Sequence, residues 1–273
     1  MTWTSSSVEN LRRVFREGFA ARDIAEPLLS FDASTSAAEI LRVMERHDFD
    51  VVGVRKDGCV VGYTERSDPH ERACGEHLRP LADSDLISDS APLTDVVLGL
   101  TKTPRLFMRV LGAVGGIITM SDLQKPPVRM WLFGMITLIE MRISRLIEQM
   151  CPGDSWKQYV SESRLQKAAA LLEERRRRNQ SLELVDCLQF SDKGQIIARN
   201  EEIRKLTKFT SRRQVEEAIK ALESLRNNLA HSQDILTCDW ETIVVLCRDL
   251  EGLIEGTEQV QRALGGSRPP LAG

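Results

Sequence analysis

The chain has few histidines, no clustered cysteines and no long apolar runs, and each shortage excludes a class of protein. Only four histidines occur in 273 residues: His47, His70 and His77 lie in the first third, and His231 stands alone in the rest. The six cysteines, Cys59, Cys74, Cys151, Cys187, Cys238 and Cys247, form no C-x-x-C pair and no Cys/His cluster. That pattern argues against a disulfide framework and a structural zinc site, and it fits a reducing cytoplasm. No signal-peptide core follows Met1, and the most apolar stretch, Met130 to Met141, is short and contains Glu140. Neither secretion nor membrane spanning is therefore expected. A net charge of −3 speaks against non-specific coating of nucleic acid, while leaving room for a local basic face that engages a transient RNA.

With 42% hydrophobic and 28% charged residues the composition is that of a soluble globular protein, long enough for about two domains. Residues 8–26 read as a short amphipathic helix and 28–123 as an α/β segment. After Pro126 and Pro127, which forbid continuation of a helix, strand signals almost vanish and the periodicity is helical to about residue 264. The expected organisation is an α+β chain: a domain over 1–127, an all-α domain over 128–264 and a disordered tail, "GGSRPPLAG", over 265–273.

The first domain contains an internal repeat. Laying "KDGCVVGYTERSDP" on "VLGAVGGIITMSDLQ" matches Gly58 to Gly112, Gly62 to Gly116, Ser67 to Ser121 and Asp68 to Asp122, all 54 residues apart. Each copy runs back into an apolar strand and a preceding helix, and these helices match with a two-residue slip, Ser34 to Ser90 and Ile40 to Val96. A duplicated β-α-β-β unit closing on G-x-x-T-x-x-D resembles the CBS domain family, whose copies pack in pairs. The second copy carries the motif as Gly116, Thr119 and Asp122; in the first, Asp68 is in register but Glu65 replaces the threonine.

The resemblance implies an adenine nucleotide (ATP, ADP or AMP) as a regulatory ligand, held by the aspartate through ribose hydroxyls with the threonine near phosphate. This nominates Asp122 and Thr119, with Asp68 as the counterpart in the first copy. Glu65 would set a negative charge near that phosphate, so the first site is expected to be altered or empty. The structural alternative is that Asp122 only caps the segment after it.

In the second half, helices are expected at about 128–150, 155–178, 194–208, 211–231 and 239–263. On the fourth, Val215, Ile219, Leu222 and Leu229 share a narrow apolar arc and Arg226 falls near its centre. An unpaired buried charge costs several kcal/mol, so Arg226 needs a partner. Glu140, beside the apolar stripe Leu132, Ile136, Ile139, Ile143 and Ile147, is the obvious internal one.

"RNNLAH" (Arg226 to His231) resembles the R-x4-6-H motif of the HEPN superfamily, α-helical bundles that include metal-independent ribonucleases and inactive binding members. Asn227 supplies the polar residue the family often places after the arginine. Gln233 stands where some toxin members have a tyrosine, a departure that puts that subgroup in doubt. The resemblance implies RNA cleavage by attack of the 2′-hydroxyl, giving a 2′,3′-cyclic phosphate and a 5′-hydroxyl. Histidine suits the proton transfers and the arginine fork the phosphorane.

No metal or catalytic cofactor is expected. Since the helical domain has one histidine and the reaction profits from both an acid and a base, a composite site in a homodimer or higher even oligomer is expected. Five helical residues separate Arg226 and His231 by about 140°, so either the helix ends near Ala230 or the two serve different sides of a cleft. The basic run Glu173 to Gln180 reads as a solvated helix end, Trp131 and Phe133 as core or dimer seam, and no specific DNA partner is expected.

Overall fold

The computed structural model describes residues 17–69, 72–207 and 209–231, with positions 10, 13–15, 233–235 and 240. The helix expected over 239–263 lies, apart from Trp240, outside the described residues, as does the tail. The chain splits into two compact units, Arg16–Val128 and Met1–Phe15 with Arg129–Gly273.

The first unit is built twice over. Its first copy has β2 (Ser30–Asp32), α1 (Ala37–His47), β3 (Val51–Lys56), β4 (Cys59–Glu65) and β5 (Arg79–Pro80). The second has β6 (Leu86–Ser88), α2 (Leu93–Leu100), β7 (Arg105–Val110) and β8 (Ala113–Thr119), and β1 (Glu26–Pro27) precedes both copies. The two sheets run β2-β3-β4-β5 and β1-β8-β7-β6. In each, a helix crosses over between two parallel strands and a hairpin follows. The register slips at Val54/Arg55 and again at Met108/Arg109.

The repeated glycines have physical reasons. Gly58 (φ 79) and Gly112 (φ 88) each follow a residue at positive φ, Asp57 or Leu111, as a two-residue hairpin turn of the favoured twist requires. A Cβ on Gly62 would stand 2.4 Å from the Arg79 carbonyl, and one on Gly116 3.3 Å from that of Glu26, so both glycines admit the edge strand beside them. Ile40, Met44, Val52 and Val54 are buried in the first copy, and their counterparts Val96, Leu100, Leu106 and Met108 are buried in the second.

The helix expected over 8–26 does not run its length. Residues 13–15 and 17 are helical, but Ala21–Asp23 is a 3-10 turn and Glu26–Pro27 is β1. The N–H groups of Ala21 and Arg22 bond the carbonyls of Ala91 (2.8 Å) and Asp89 (3.0 Å), and the Asp23 carboxylate accepts the Ala20 N–H at 2.7 Å. The segment is thus drawn to the second copy, where β1 pairs with β8.

The second unit is helical among the described residues. α3 (Pro126–Met150) begins at the double proline and not after it, because the first turn of a helix has no use for the missing N–H groups. A 3-10 segment, Pro152–Tyr159, with Gly153 and Asp154 at positive φ, precedes α4 (Glu162–Arg177), so the helix expected from 155 starts later. The helix expected over 194–208 is two, α5 (Phe190–Arg199) and α6 (Glu201–Leu206). Asn200 leaves helical space (ψ 110) and its side-chain oxygen accepts the N–H groups of Glu202 and Ile203.

α7 (Arg212–Ala230) starts with a Ser211 cap on Gln214, whose side chain reaches back to the Thr210 N–H. The α3 stripe Leu132, Ile136, Ile139, Ile143 and Ile147 is buried, as are Val215, Ile219 and Leu222 of α7. Gly194 lets α5 approach closely: a Cβ there would meet Ile219 at 2.7 Å. Trp131 is core, whereas Phe133 remains 51% exposed. No helix among the described residues is long and apolar enough to cross a membrane.

Candidate functional sites in the repeated and helical units

In the second copy, β8 ends at Thr119 and a 3-10 turn, Met120–Gln124, follows. Asp122, 7% exposed, turns one carboxylate oxygen back onto the Thr119 N–H (2.7 Å) and hydroxyl (3.0 Å), while its other oxygen pairs with Lys125 at 2.8 Å. The capping role is therefore real, and Thr119 also bonds Ser121 at 2.8 Å. Lys125 donates further to the Ile24 carbonyl (2.6 Å) and to Glu26. Burial would lower the Lys125 pKa, but the two carboxylates outweigh it and hold the ammonium above its ordinary value.

The first copy repeats the backbone and the paired aspartate but reverses the charge at the edge strand. Asp68 accepts the Glu65 N–H at 2.7 Å and the Thr64 hydroxyl at 3.2 Å. Arg79 bonds both its oxygens. Burial acts to raise the Asp68 carboxyl, but Arg79 and these bonds prevail and hold it below its ordinary value. Arg79 opposes Tyr63 in its sheet as Glu26 opposes Ile117 in the other, so the same place carries a cation in one copy and an anion in the other. In the threonine's place, Glu65 reaches Arg79 (3.2 Å) and Arg105 of β7, and the Arg105 guanidinium lies 5.4 Å from the centre of the Tyr63 ring.

The first copy is thus closed by a neutral set of two carboxylates and two guanidiniums. The second sets the hydroxyls of Thr119 and Ser121 beside one ammonium held between two carboxylates, Asp122 and Glu26, so its hydroxyls are not closed off by guanidiniums. Arg79, Arg105 and Lys125 escaped the sequence reading; the reversal of charge between Arg79 and Glu26 appears only once the two-residue edge strands are placed.

In the helical unit, Arg226 lies in the last turns of α7, where the packed face runs out. Its side chain is 37% exposed and its Nη1 stands 3.7 Å from Glu140 Oε2 of α3. The other oxygen of Glu140 accepts a bond at 3.2 Å from Nζ of Lys193, whose side chain is only 3% exposed on α5. Lys193 was also missed, since a charged residue beside Gly194 looks like surface. Glu140 and Lys193 border a cavity of about 320 Å³ whose rim includes Glu148, Glu183 and Asp186. Burial, Asp186 and Glu183 together raise the Glu148 carboxyl above its ordinary value. Arg145 also lines this cavity, and Arg226 does not.

Asn227 and His231 are exposed. α7 ends at Ala230, and His231 is the C-cap, with its N–H still on the Asn227 carbonyl at 3.0 Å. The Gln233 N–H closes onto the Asn228 carbonyl at 2.9 Å, a Schellman-type finish. Arg129 of α3 holds the carbonyls of Asn228 (3.1 Å), Leu229 (3.4 Å) and Gln233 (2.9 Å). His231 therefore keeps helical register although the helix ends, and it leaves α7 about 140° from Arg226. One chain does not make the two converge by helix geometry. Arg176 to Arg178 are exposed, with Arg177 and Arg178 paired to Glu173 and Glu174, so that run is a solvated helix end.

The chain is thus an α+β protein in which a duplicated strand-helix-hairpin unit accompanies a helical one. Over its N-terminal part it is similar to solved CBS-domain proteins. One is a conserved CBS domain protein of unknown function from Thermoplasma acidophilum, at 17% identity over 42% of this chain and 75% of that one, TM-score 0.34. CBSX2 in complex with AMP is 22% identical over 39% of this chain and 93% of that one, TM-score 0.34. The CBS domain of the bacterial CNNM/CorC family Mg2+ transporter in complex with ATP is 14% identical over 45% and 95%, TM-score 0.35. No protein-family model and no curated protein matches the sequence.

Proposed function

We propose that the chain is an adenine-nucleotide-regulated, metal-independent endoribonuclease, a CBS pair joined to a HEPN-type bundle that completes its active site as a homodimer. The observation that carries this is the end of α7. Arg226 stands at the margin of the packed face with its guanidinium part-exposed, and the lone histidine of the helical half is presented at the cap. Arg226 would hold the phosphate oxygens and His231 would move the protons, with Asn227 beside them and Glu140 in support. Because the two side chains diverge within one chain, a second chain supplies the complementary pair. The nucleotide, of the class held by CBSX2 and the transporter domain, is proposed for the second copy, at Thr119 and Asp122; Asp68 is engaged by Arg79.

A second reading is a nucleotide-responsive adaptor or RNA-binding protein with an inactive bundle, and the Glu140–Arg226 approach of 3.7 Å favours it. Incubating the purified protein with mixed RNA in EDTA separates the two. Products ending in a 2′,3′-cyclic phosphate, lost in both Arg226→Ala and His231→Ala, support the enzyme. A folded dimer that leaves RNA intact with and without ATP, ADP and AMP supports the adaptor.

A further inference from the structure

Glu140 stands between two cations of unequal need. Lys193 is almost wholly withdrawn from water and donates to Glu140 Oε1 at 3.2 Å, within hydrogen-bond range. Arg226 keeps more than a third of its side chain in water and stands 3.7 Å away, beyond that range. A buried ammonium without its carboxylate is strongly destabilising, whereas a part-exposed guanidinium is solvated anyway and gains little from such a contact. The carboxylate is thus required by the lysine and only approached by the arginine. On the lysine's side the cavity sets four carboxylates, Glu140, Glu148, Glu183 and Asp186, against Arg145 and Lys193, and Arg226 does not line it.

We propose that Lys193 is a positioning residue: by engaging Glu140 it keeps the Arg226 guanidinium available to an anionic ligand, a phosphate group. This rests on reading Arg226 as the phosphate-binding group, but it does not require that RNA be cut. Without Lys193, Glu140 loses its hydrogen-bonded cation and would draw in Arg226, which already stands 3.7 Å away.

The test uses the full chain and inorganic phosphate, read as the phosphate-dependent rise in urea midpoint, with the signal remaining in Arg226→Ala subtracted. Wild type shows an Arg226-dependent component. Lys193→Met, which retains the volume and leaves Glu140 with access to water, raises the phosphate concentration needed for that component roughly fivefold, the effect of one part-exposed ion pair. Lys193→Met combined with Glu140→Gln restores it, a rescue that a merely structural lysine would not show. An unchanged component in Lys193→Met, no rescue in the double variant, or no Arg226-dependent component in wild type each overturns the proposal. A positive result beside uncut RNA would retain the proposal and leave the adaptor reading of the bundle.

Discussion

Leu111 is a branched aliphatic residue held at φ 52 and fully exposed, in the turn position where the first copy has Asp57. Asparagine and aspartate tolerate this left-handed conformation better than leucine does. Leu111→Asn is expected to stabilise the protein by about 0.5–1 kcal/mol, measured as a higher urea midpoint with an unchanged slope. Asp68 makes a pH-dependent prediction. Its carboxyl is held below the ordinary value of 3.8, so near that pH the unfolded chain binds more protons than the native one. Its contribution is therefore complete well above pH 3.8 and is lost as the pH falls through the depressed native value. The stability difference between wild type and Asp68→Asn should be largest at neutral pH and shrink in acid; a constant difference would contradict the Arg79 pairing. Asp68 and Arg226 were legible in the sequence, one through the repeat and one through its place on an apolar arc. Lys193 was not, because a lysine is by default a surface residue and only the packing of α5 against α7 buries it.

At the level of elements, the end of α7 depends on α3. Arg129→Ala removes a charged donor from three carbonyls, and a loss of about 1.5–3 kcal/mol is expected, accompanied by faster amide exchange at His231 and Gln233. If the cap places His231 for chemistry, cleavage should fall more than stability does. The helices were readable where an apolar stripe repeats every three or four residues, as in α3 and α7. The break at Asn200 carried a signal, an asparagine followed by two glutamates, but continuous periodicity on either side masked it. β1 and β5 were illegible for a different reason. Two residues contain no period, and both strands exist because a completed hairpin presents an edge to them.

Across the whole molecule, the closure of the first copy by Glu65 with Arg79 and Arg105 leads to a stoichiometry. Calorimetry should find one adenine nucleotide per chain, lost in Asp122→Ala and retained in Asp68→Ala if the latter folds. Two equal sites, or binding unaffected by Asp122→Ala, would contradict the assignment. The repeat was visible because its matched residues answer to backbone demands: glycines in turns and at close approaches, and aspartates that tie a turn. What the alignment could not supply was the order in which strands are collected, since β1, from ahead of the first copy, completes the sheet of the second.

That borrowed strand has a consequence for how the chain is assembled. The repeated unit interrupts the other one in sequence, between Phe15 and Arg129, and its first and last strands are paired, with Glu26 opposite Ile117. Neighbouring strands lie about 5 Å apart, so the backbone arrives at this unit and departs from it along one edge. A segment tethered in that way is a cassette. Its excision, with the cut ends joined by a flexible loop, would leave the helical unit's own sequence otherwise intact.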